Sequence, residues 1–238
     1  MTTAAAPPRR VAVLAPMRPE LAPLRRPLGL ARAGSGGLLR GRIAHVDVIA
    51  AITGIGTGKA ARAAERILDA EPVDRLLVVG IAGGIGPSVA IGDLVVPALV
   101  RDLDAGTDHR PYPLGGVPPR GTLVTSNALI TDQQRIAGLE RAGAVAIDME
   151  TAAIGAVCER RGCAWSVFRA ISDRADDGSM DAAIFGLAGT DGSPDVSALA
   201  RFLLARPGQI LHLARLARGM RAATRAAAAA AVRALATL

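Results

Sequence analysis

Aromatic residues are scarce in this chain of 238 residues, of which phenylalanine, tyrosine and tryptophan make up only 2%. The hydrophobic content of 50% still allows one sizeable core, which aliphatic residues and alanine must build. Proteins that bind nucleic acid combine a concentrated basic surface with aromatic side chains that stack on bases. Here the net charge of +7 is dispersed, with a modest increase near the C-terminus. The composition therefore argues against a nucleic-acid partner.

Cysteines and long apolar runs are also few. Cys158 and Cys163 have a spacing that fits neither a metal site nor a redox motif, so we expect two reduced thiols. Arg, Gly or Pro interrupts every apolar stretch that approaches the length of a membrane span. Residues 1–10 lack the apolar segment of a secretory signal and are expected to be disordered. These features predict a cytoplasmic protein without stable membrane insertion.

Short aliphatic runs alternate with amphipathic stretches along the chain. The predicted strands are Val11–Ala15, Leu38–Ala44, Val46–Ile52, Arg75–Val79, Asp93–Val96, Leu123–Thr125, Val145–Ile147 and Ala164–Ala170. The predicted helices include Glu20–Leu30, Lys59–Ala70, Glu150–Arg161 and an exposed, Ala/Arg-rich terminal helix over Arg215–Leu238. This alternation predicts a single α/β domain covering residues 1–238.

Three segments without regular patterning are candidates for ligand contacts. Gly80–Gly84 follows a strand and Gly54–Gly58 precedes a helix, so each allows close approach of a ligand to the backbone. Tight turns that serve helix–sheet packing explain these glycines equally well. Arg101–Gly121 is long and polar, which suggests a substrate-side loop. Within it we expect His109 to be exposed, with a contact to a ligand as the alternative.

Acidic residues lie next to three predicted strand ends. Glu20 follows the first strand, Asp148 and Glu150 follow the strand at Val145, and Asp173 follows Ala164–Ala170. Strand ends on one side of a sheet converge, so these carboxyl groups are expected to face one cleft. Breaking an N-glycosidic bond needs a proton donor, partners for the sugar hydroxyls and activation of water, and carboxyl groups suit all three tasks. Each residue taken alone is equally explained as a helix cap, a first-turn acid or a turn residue.

Six segments in this order resemble the motifs of 5'-methylthioadenosine/S-adenosylhomocysteine nucleosidases, which belong to the purine/uridine phosphorylase superfamily. They are Ala15–Glu20, Thr53–Gly56, Gly80–Gly84, Ile91–Val96, Ile147–Ala152 and Arg169–Asp173. The resemblance extends from about residue 11 to about residue 177. It implies an α/β fold with a twisted mixed central sheet flanked by helices, a homodimer, a purine nucleoside as substrate, and neither metal nor organic cofactor.

The resemblance also implies roles for individual residues. Glu20 is expected to activate water as the general base, and Asp173 to donate a proton to N7 of the departing purine. Glu150 is expected to hold the ribose hydroxyls, while Arg169 and Ser172 support the acidic groups. The other implied substrate-binding positions are Met17, Ile55, Ile81, Ala82, Gly83, Leu129, Ile130, Asp148 and Met149.

Three positions depart from the patterns of the relatives. Ile81 stands where the nucleosidases carry a serine, and Leu129 replaces an aromatic residue that stacks on the base. Val78 stands where phosphorylases of the superfamily place an arginine, without which a phosphate dianion is poorly neutralised. The sequence therefore favours hydrolysis by water over phosphorolysis, with a 5'-modified adenosine as the expected substrate.

Two further alternatives remain open at this point. The segment Val196–Ala217 resembles the hopanoid-associated nucleosidases, which remove adenine from adenosylhopane, and this would allow a large apolar 5' group. Ile81 and Leu129 also fit a nucleoside-binding relative that has lost turnover. Retention of Glu20, Glu150 and Asp173 argues against that possibility, because binding alone needs no base and acid placed in this way.

Overall fold

The computed structural model describes residues 9–33, 37–177, 201 and 205–238. The strands are β1 (Arg9–Ala15), β2 (Ala31–Arg32), β3 (Leu39–Ile43), β4 (Val46–Ile52), β5 (Arg75–Gly84), β6 (Leu94–Val95), β7 (Leu99–Asp102), β8 (Thr107–His109), β9 (Thr122–Thr125), β10 (Ala144–Asp148) and β11 (Ala164–Arg174). The described α-helices are α1 (Arg18–Arg25), α2 (Thr57–Ala70), α3 (Gln133–Arg141), α4 (Thr151–Arg160) and α5 (Ile210–Leu235). Short 3-10 helices span Ala175–Asp177 and Pro207–Gln209.

Some predictions fall partly outside the described residues. The expected disorder at residues 1–10 is wrong for Arg9 and Arg10, which belong to β1, while residues 1–8 lie outside the described part. The segment Val196–Ala217, on which the hopanoid resemblance rests, is described only at residue 201 and from residue 205 onward.

The eleven described strands form one mixed sheet with core on both of its faces, and a mixed central sheet is what the resemblance implied. Side chains of β1 alternate between the faces: Val11 and Val13 pack with α1 and α5, whereas Ala12 and Leu14 pack with α2 and α4. A strand buried on both faces has no polar alternation, which explains why the short aliphatic runs identify the central strands so well.

The strand β5 lies at a division of the sheet. One edge of β5 pairs with β11 in parallel along its whole length. On the other edge β1 pairs in parallel as far as Val78, and β10 pairs in the antiparallel direction at Gly83 and Gly84. The carboxyl ends of β1 and β10 therefore approach the middle of β5 from opposite directions and leave a gap between them. The carboxyl groups of Glu20, Asp148 and Glu150 do converge at this gap, whereas Asp173 lies on β11, along the other edge of β5.

Two strands are longer than the sequence indicated. Gly80–Gly84 belongs to β5 and is not a loop, while β11 continues through Asp173 to Arg174. At Gly80 a Cβ atom would lie 2.3 Å from Oε1 of Glu20 and 2.5 Å from Nη1 of Arg169. The glycine is required because these side chains cross directly over the strand.

The segment Arg101–Gly121, expected to be a substrate-side loop, is in part regular structure. Its first part forms the β7–β8 hairpin, and His109 is buried, with Nδ1 2.7 Å from a carboxylate oxygen of Glu159 at the far end of α4. Tyr112 donates its N–H to the carbonyl of Trp165, near the start of β11 and at the opposite end from Asp173. The prediction of an exposed His109 is therefore wrong, and of this segment Asp104 is the residue tied to Asn127, near the acidic groups.

The C-terminal helix is a core element and not an exposed terminal helix. α5 packs against α1, β5 and β11, and its buried face consists mainly of alanine, including Ala223, Ala227 and Ala231. Arginines such as Arg218 and Arg225 occupy the exposed face. Alanine occurs on both the buried and the exposed face of α5, so hydropathy alone did not separate the two faces and the helix was predicted to be exposed. Among the residues that the structure describes, no helix is both long enough and apolar enough to cross a bilayer.

We predict that Ala231→Asp destabilises the fold whereas Ala229→Asp does not. Ala231 is fully buried in α5 and Ala229 is exposed on the same helix. An unpaired carboxylate at the buried position should cost several kcal/mol, while the exposed change should stay within about 0.5 kcal/mol. Thermal melts of both variants check this. Equal melting temperatures would show that α5 does not complete the core.

Candidate active site

Arg169 lies at the centre of a buried cluster of charges. Its guanidinium is fully buried and sits 2.5 Å from a carboxylate oxygen of Asp148, 3.2 Å from Glu150 and 3.6 Å from Glu20. Nη1 also donates to the carbonyl of Ile81, 3.1 Å away, in the gap beside β5. One cation therefore joins acidic groups that come from α1, β10 and the start of α4.

Glu20 belongs to the first turn of α1, yet its side chain points into the protein. Oε1 accepts a hydrogen bond of 2.8 Å from the N–H of Ile81. Oε2 is buried and has no partner among the described residues. Burial raises the pKa of Glu20 to about 8, although Arg169 and the hydrogen bond from Ile81 oppose this shift. Such a carboxyl group is suited to take a proton from a ligand or water molecule at Oε2.

Glu150 stands at the N-cap position of α4 but does not cap this helix with its side chain. Oε1 instead accepts a hydrogen bond of 2.9 Å from the N–H of Gly56, whose φ of +102° is in the region that favours glycine. Burial raises the pKa of Glu150 to about 7, with Arg169 opposing and Asp148 adding to the shift. The glutamate thus links α4 to the loop before α2 and keeps a fixed orientation.

Asp148 performs the capping instead. Its Oδ1 accepts hydrogen bonds from Oγ1 of Thr125 at 2.6 Å and from the N–H of Thr151 at 3.3 Å. Its Oδ2 contacts Oγ1 of Thr151 and the guanidinium of Arg169. Because both oxygens are engaged within the protein, we interpret Asp148 as a group that positions Arg169 and α4.

Asp173 lies on β11 opposite Gly83. Its Oδ1 accepts a hydrogen bond from Oγ of Ser172. Burial raises the pKa of Asp173; the bond from Ser172 opposes this and the nearby Asp177 adds to it. A carboxyl group that retains its proton at higher pH is suited to act as a general acid.

The predicted apolar contacts occupy junctions between strands and helices. Met17, Ile55, Leu129 and Met149 each lie between a strand and the helix that follows it, and all are half-buried. Ile81, Ala82 and Gly83 lie on β5 between Glu20 and Asp173. The side chain of Ile130 packs with Ile85, Val124 and Ile136, which leaves only its backbone for a ligand.

Two groups near the acidic cluster were not identified from the sequence. Oγ1 of Thr151 accepts hydrogen bonds from Nε and Nη2 of Arg169, at 3.2 and 3.1 Å. Oδ1 of Asn127 accepts hydrogen bonds from the backbone N–H and the hydroxyl group of Thr57. The backbone N–H of Asn127 donates to a carboxylate oxygen of Asp104. The spacing of Asp148 and Thr151 is a recognisable capping signal, whereas nothing in the sequence connects Asn127 with Thr57.

Comparisons with known proteins agree on the family. The family model described as the phosphorylase superfamily matches residues 10–120 and 115–205. A 5'-methylthioadenosine/S-adenosylhomocysteine nucleosidase from an Exiguobacterium species is 28% identical in an alignment of 167 residues; the match covers 58% of this chain and 72% of that protein.

Solved structures are similar over nearly the whole chain. Futalosine hydrolase of Helicobacter pylori superposes with a TM-score of 0.74 at 19% identity, covering 97% of this chain and 99% of the other. A 5'-methylthioadenosine/S-adenosylhomocysteine nucleosidase from Neisseria meningitidis, in complex with methylthio-immucillin-A, gives 0.74 at 19% identity, covering 97% and 100%. At this level of identity the likeness establishes the fold.

We predict that the stability of the protein decreases as the pH rises from about 5 to 9, and that Glu20→Gln makes this decrease shallower. The folded-state pKa of Glu20 is raised from 4.5 to about 8, so the folded protein binds more protons than the unfolded chain between these values. The stabilising contribution of the protonated carboxyl group is complete below pH 4.5 and is lost as the pH passes through about 8. For one group the slope is at most about 1.4 kcal/mol per pH unit.

Thermal melts across this pH range test the prediction. The matched control is Glu65→Gln, which changes a half-buried glutamate on α2 that lies outside the Arg169 cluster, and it should keep the wild-type slope. The same slope in Glu20→Gln as in the wild type would contradict the raised pKa.

Proposed function

Because the chain belongs to the phosphorylase superfamily, as its motifs predicted, we propose that it hydrolyses the N-glycosidic bond of a purine nucleoside and releases the base. The expected substrate is a 5'-modified adenosine of the methylthioadenosine or S-adenosylhomocysteine type. The observation that carries this proposal is the buried Oε2 of Glu20, which has no partner among the described residues and lies in the same cluster as Glu150 around Arg169. Asp173 lies opposite Gly83 on β11, along the other edge of β5.

In the proposed reaction Glu20 acts on water. Oε1 is fixed by the N–H of Ile81, which leaves Oε2 to accept a proton as the water oxygen bonds to C1' of the sugar. The raised pKa makes this carboxylate a stronger base than an exposed glutamate, because its uptake of a proton removes a buried charge.

The leaving base and the sugar involve the other two acidic groups. Asp173 donates its proton to N7 as the bond between C1' and the purine breaks, so the base departs neutral. Glu150 accepts hydrogen bonds from the ribose hydroxyls, and its bonds to Gly56 and Arg169 hold it in place for this task. An oxocarbenium-like sugar is positively charged, and the nearby carboxylates stabilise that charge.

The same charges favour water over phosphate. The described ion pairs of Glu20, Asp148 and Glu150 all involve Arg169, so this single cation is already shared among three carboxyl groups. Val78, at the position of the phosphorylase arginine, is fully buried in the core. A phosphate dianion beside Glu20 would meet negative charge without a new cation to neutralise it.

The substrate proposal draws on the relatives. The Exiguobacterium protein is named as a 5'-methylthioadenosine/S-adenosylhomocysteine nucleosidase, and the Neisseria meningitidis structure contains methylthio-immucillin-A. The half-buried Met17, Ile55 and Met149 are suited to an apolar or thioether group on the 5' side. Adenosylhopane, suggested by Val196–Ala217, stays a prediction. A homodimer, expected from the resemblance, is part of the proposal and can be tested by light scattering.

We predict that Glu20→Gln and Asp173→Asn each lower kcat for base release by about 10²- to 10⁴-fold, because each removes one proton transfer. Chromatography would follow the release of adenine from adenosine, methylthioadenosine and S-adenosylhomocysteine, and the release of hypoxanthine from inosine and futalosine as further candidates. Glu65→Gln and Asp69→Asn are matched controls, since both change acids on α2 that lie outside the Arg169 cluster. Turnover at the wild-type rate in Glu20→Gln or Asp173→Asn would overturn the assigned roles. Tight binding without product even in the wild type would favour the non-catalytic relative.

We also predict that free ribose, and not ribose 1-phosphate, is the sugar product, and that the rate does not depend on phosphate. Parallel reactions with and without phosphate, followed by identification of the sugar, check this. A strict requirement for phosphate would establish phosphorolysis and contradict the charge argument above.

A further inference from the structure

The helix α5 contains one glycine, Gly219, among many alanines. A glycine inside a helix makes that helix less stable than an alanine at the same position. Gly219 is buried within this helix, and a buried helical glycine commonly marks a place where another backbone comes close.

The backbone that approaches Gly219 is that of Ser172. A Cβ atom on Gly219 would lie 2.1 Å from the carbonyl oxygen of Ser172 and 3.3 Å from its carbonyl carbon. The side chain of Ile91 would be 3.3 Å away. The carbonyl group belongs to the main chain and cannot rotate away as a flexible side chain would. The absence of a Cβ atom therefore lets α5 lie directly against the main chain of β11 at Ser172.

Ser172 sits at an irregularity of β11 immediately before Asp173. The pairing of β11 with β5 shifts register between Ile171 and Asp173. Oγ of Ser172 lies 3.4 Å from the carbonyl oxygen of Ala82 and donates to Oδ1 of Asp173. The orientation of the Ser172 main chain thus determines the direction of both its hydroxyl group and the carboxyl group that follows.

The strand is also held beyond Asp173. Nη1 of Arg174 donates to the carbonyl of Val89 at 2.9 Å, and Nε donates to Oδ1 of Asp176 at 2.8 Å. Asp176 in turn accepts from the N–H of Gly86. Because this end is tied to the loop after β5, a displacement at Ser172 must be taken up at Asp173 between the two supports.

We propose that Gly219 is a positioning residue for Asp173, through the close contact of α5 with Ser172. The inference rests on the proposed function, in which Asp173 protonates the departing purine. Gly219 itself does not touch the substrate. A methyl group at this position must push Ser172 and α5 apart by about 1 Å, a shift that can cost about 100-fold in rate when it misplaces a reacting group.

The test compares Gly219→Ala with Gly138→Ala. Gly138 is also helical, in α3, and a Cβ there would meet only the guanidinium of Arg141, at 3.9 Å. We expect Gly219→Ala to lower kcat for a purine nucleoside by about 30- to 100-fold with KM changed by less than about 3-fold. Gly138→Ala should retain the wild-type kcat.

A second substrate separates positioning of the acid from general damage to the site. p-Nitrophenyl β-D-ribofuranoside has a leaving group that departs without a proton, so its hydrolysis does not need Asp173. Gly219→Ala should therefore lose less than about 3-fold on this substrate. With the purine nucleoside, the variant should also lose activity at lower pH than the wild type, since a displaced, more solvated Asp173 has a lower pKa.

Each outcome decides the proposal. An equal loss on both substrates, or wild-type kcat on the purine nucleoside, would overturn the role of Gly219. If the wild-type enzyme releases no purine, the proposed function itself fails, and this result is distinct from either outcome above. Should Gly219→Ala not fold, Ala223→Val on the same buried face of α5 is the second variant, and the same selective loss on the purine substrate is expected.

Discussion

A single buried cation organises the acidic groups of this site. Arg169 lies within ion-pair distance of Glu20, Asp148 and Glu150, and it also bonds the carbonyl of Ile81. One positive charge cannot neutralise three carboxylates in a dry environment, so burial raises the pKa of both glutamates. The negative charge of the carboxyl groups that Arg169 does not neutralise repels an anionic nucleophile and attracts a positively charged sugar. The preference for water and the stabilisation of the transition state thus have one physical origin.

The location of this cluster follows from the division of the sheet at β5. A single strand running along this edge of β5 would use all of its backbone hydrogen-bonding groups. Here β1 pairs with the first part of β5 and β10 with its last part, and the two strands run in opposite directions. Because they approach from opposite directions, the backbone of Ile81 is left between them, and its N–H and carbonyl groups bond to Glu20 and Arg169. Side chains of the site replace the missing strand partner.

The sequence predicted the central strands and the acidic cluster because both depend on local pattern. Aliphatic runs identify β1, β4 and β5, and ordered motifs identified Glu20, Glu150 and Asp173. Contacts between distant segments were not predictable: His109 is buried by Glu159, and Asn127 meets Thr57, through pairings that no local pattern encodes. The burial of α5 was missed because an alanine face has little hydropathy contrast, although alanine is what allows a helix to pack closely on a sheet.

The position of α5 has a consequence for how the chain folds during synthesis. This helix is the last of the described elements to be made, yet it packs in the same core as Val11 and Val13 of β1, the first. The ribosome therefore releases the first strands long before their covering helix exists, and their apolar face stays open until α5 has been made. Contacts of such large sequence separation form slowly and leave incomplete chains prone to aggregation. Nascent chains of this protein are thus expected to depend on chaperones until α5 emerges.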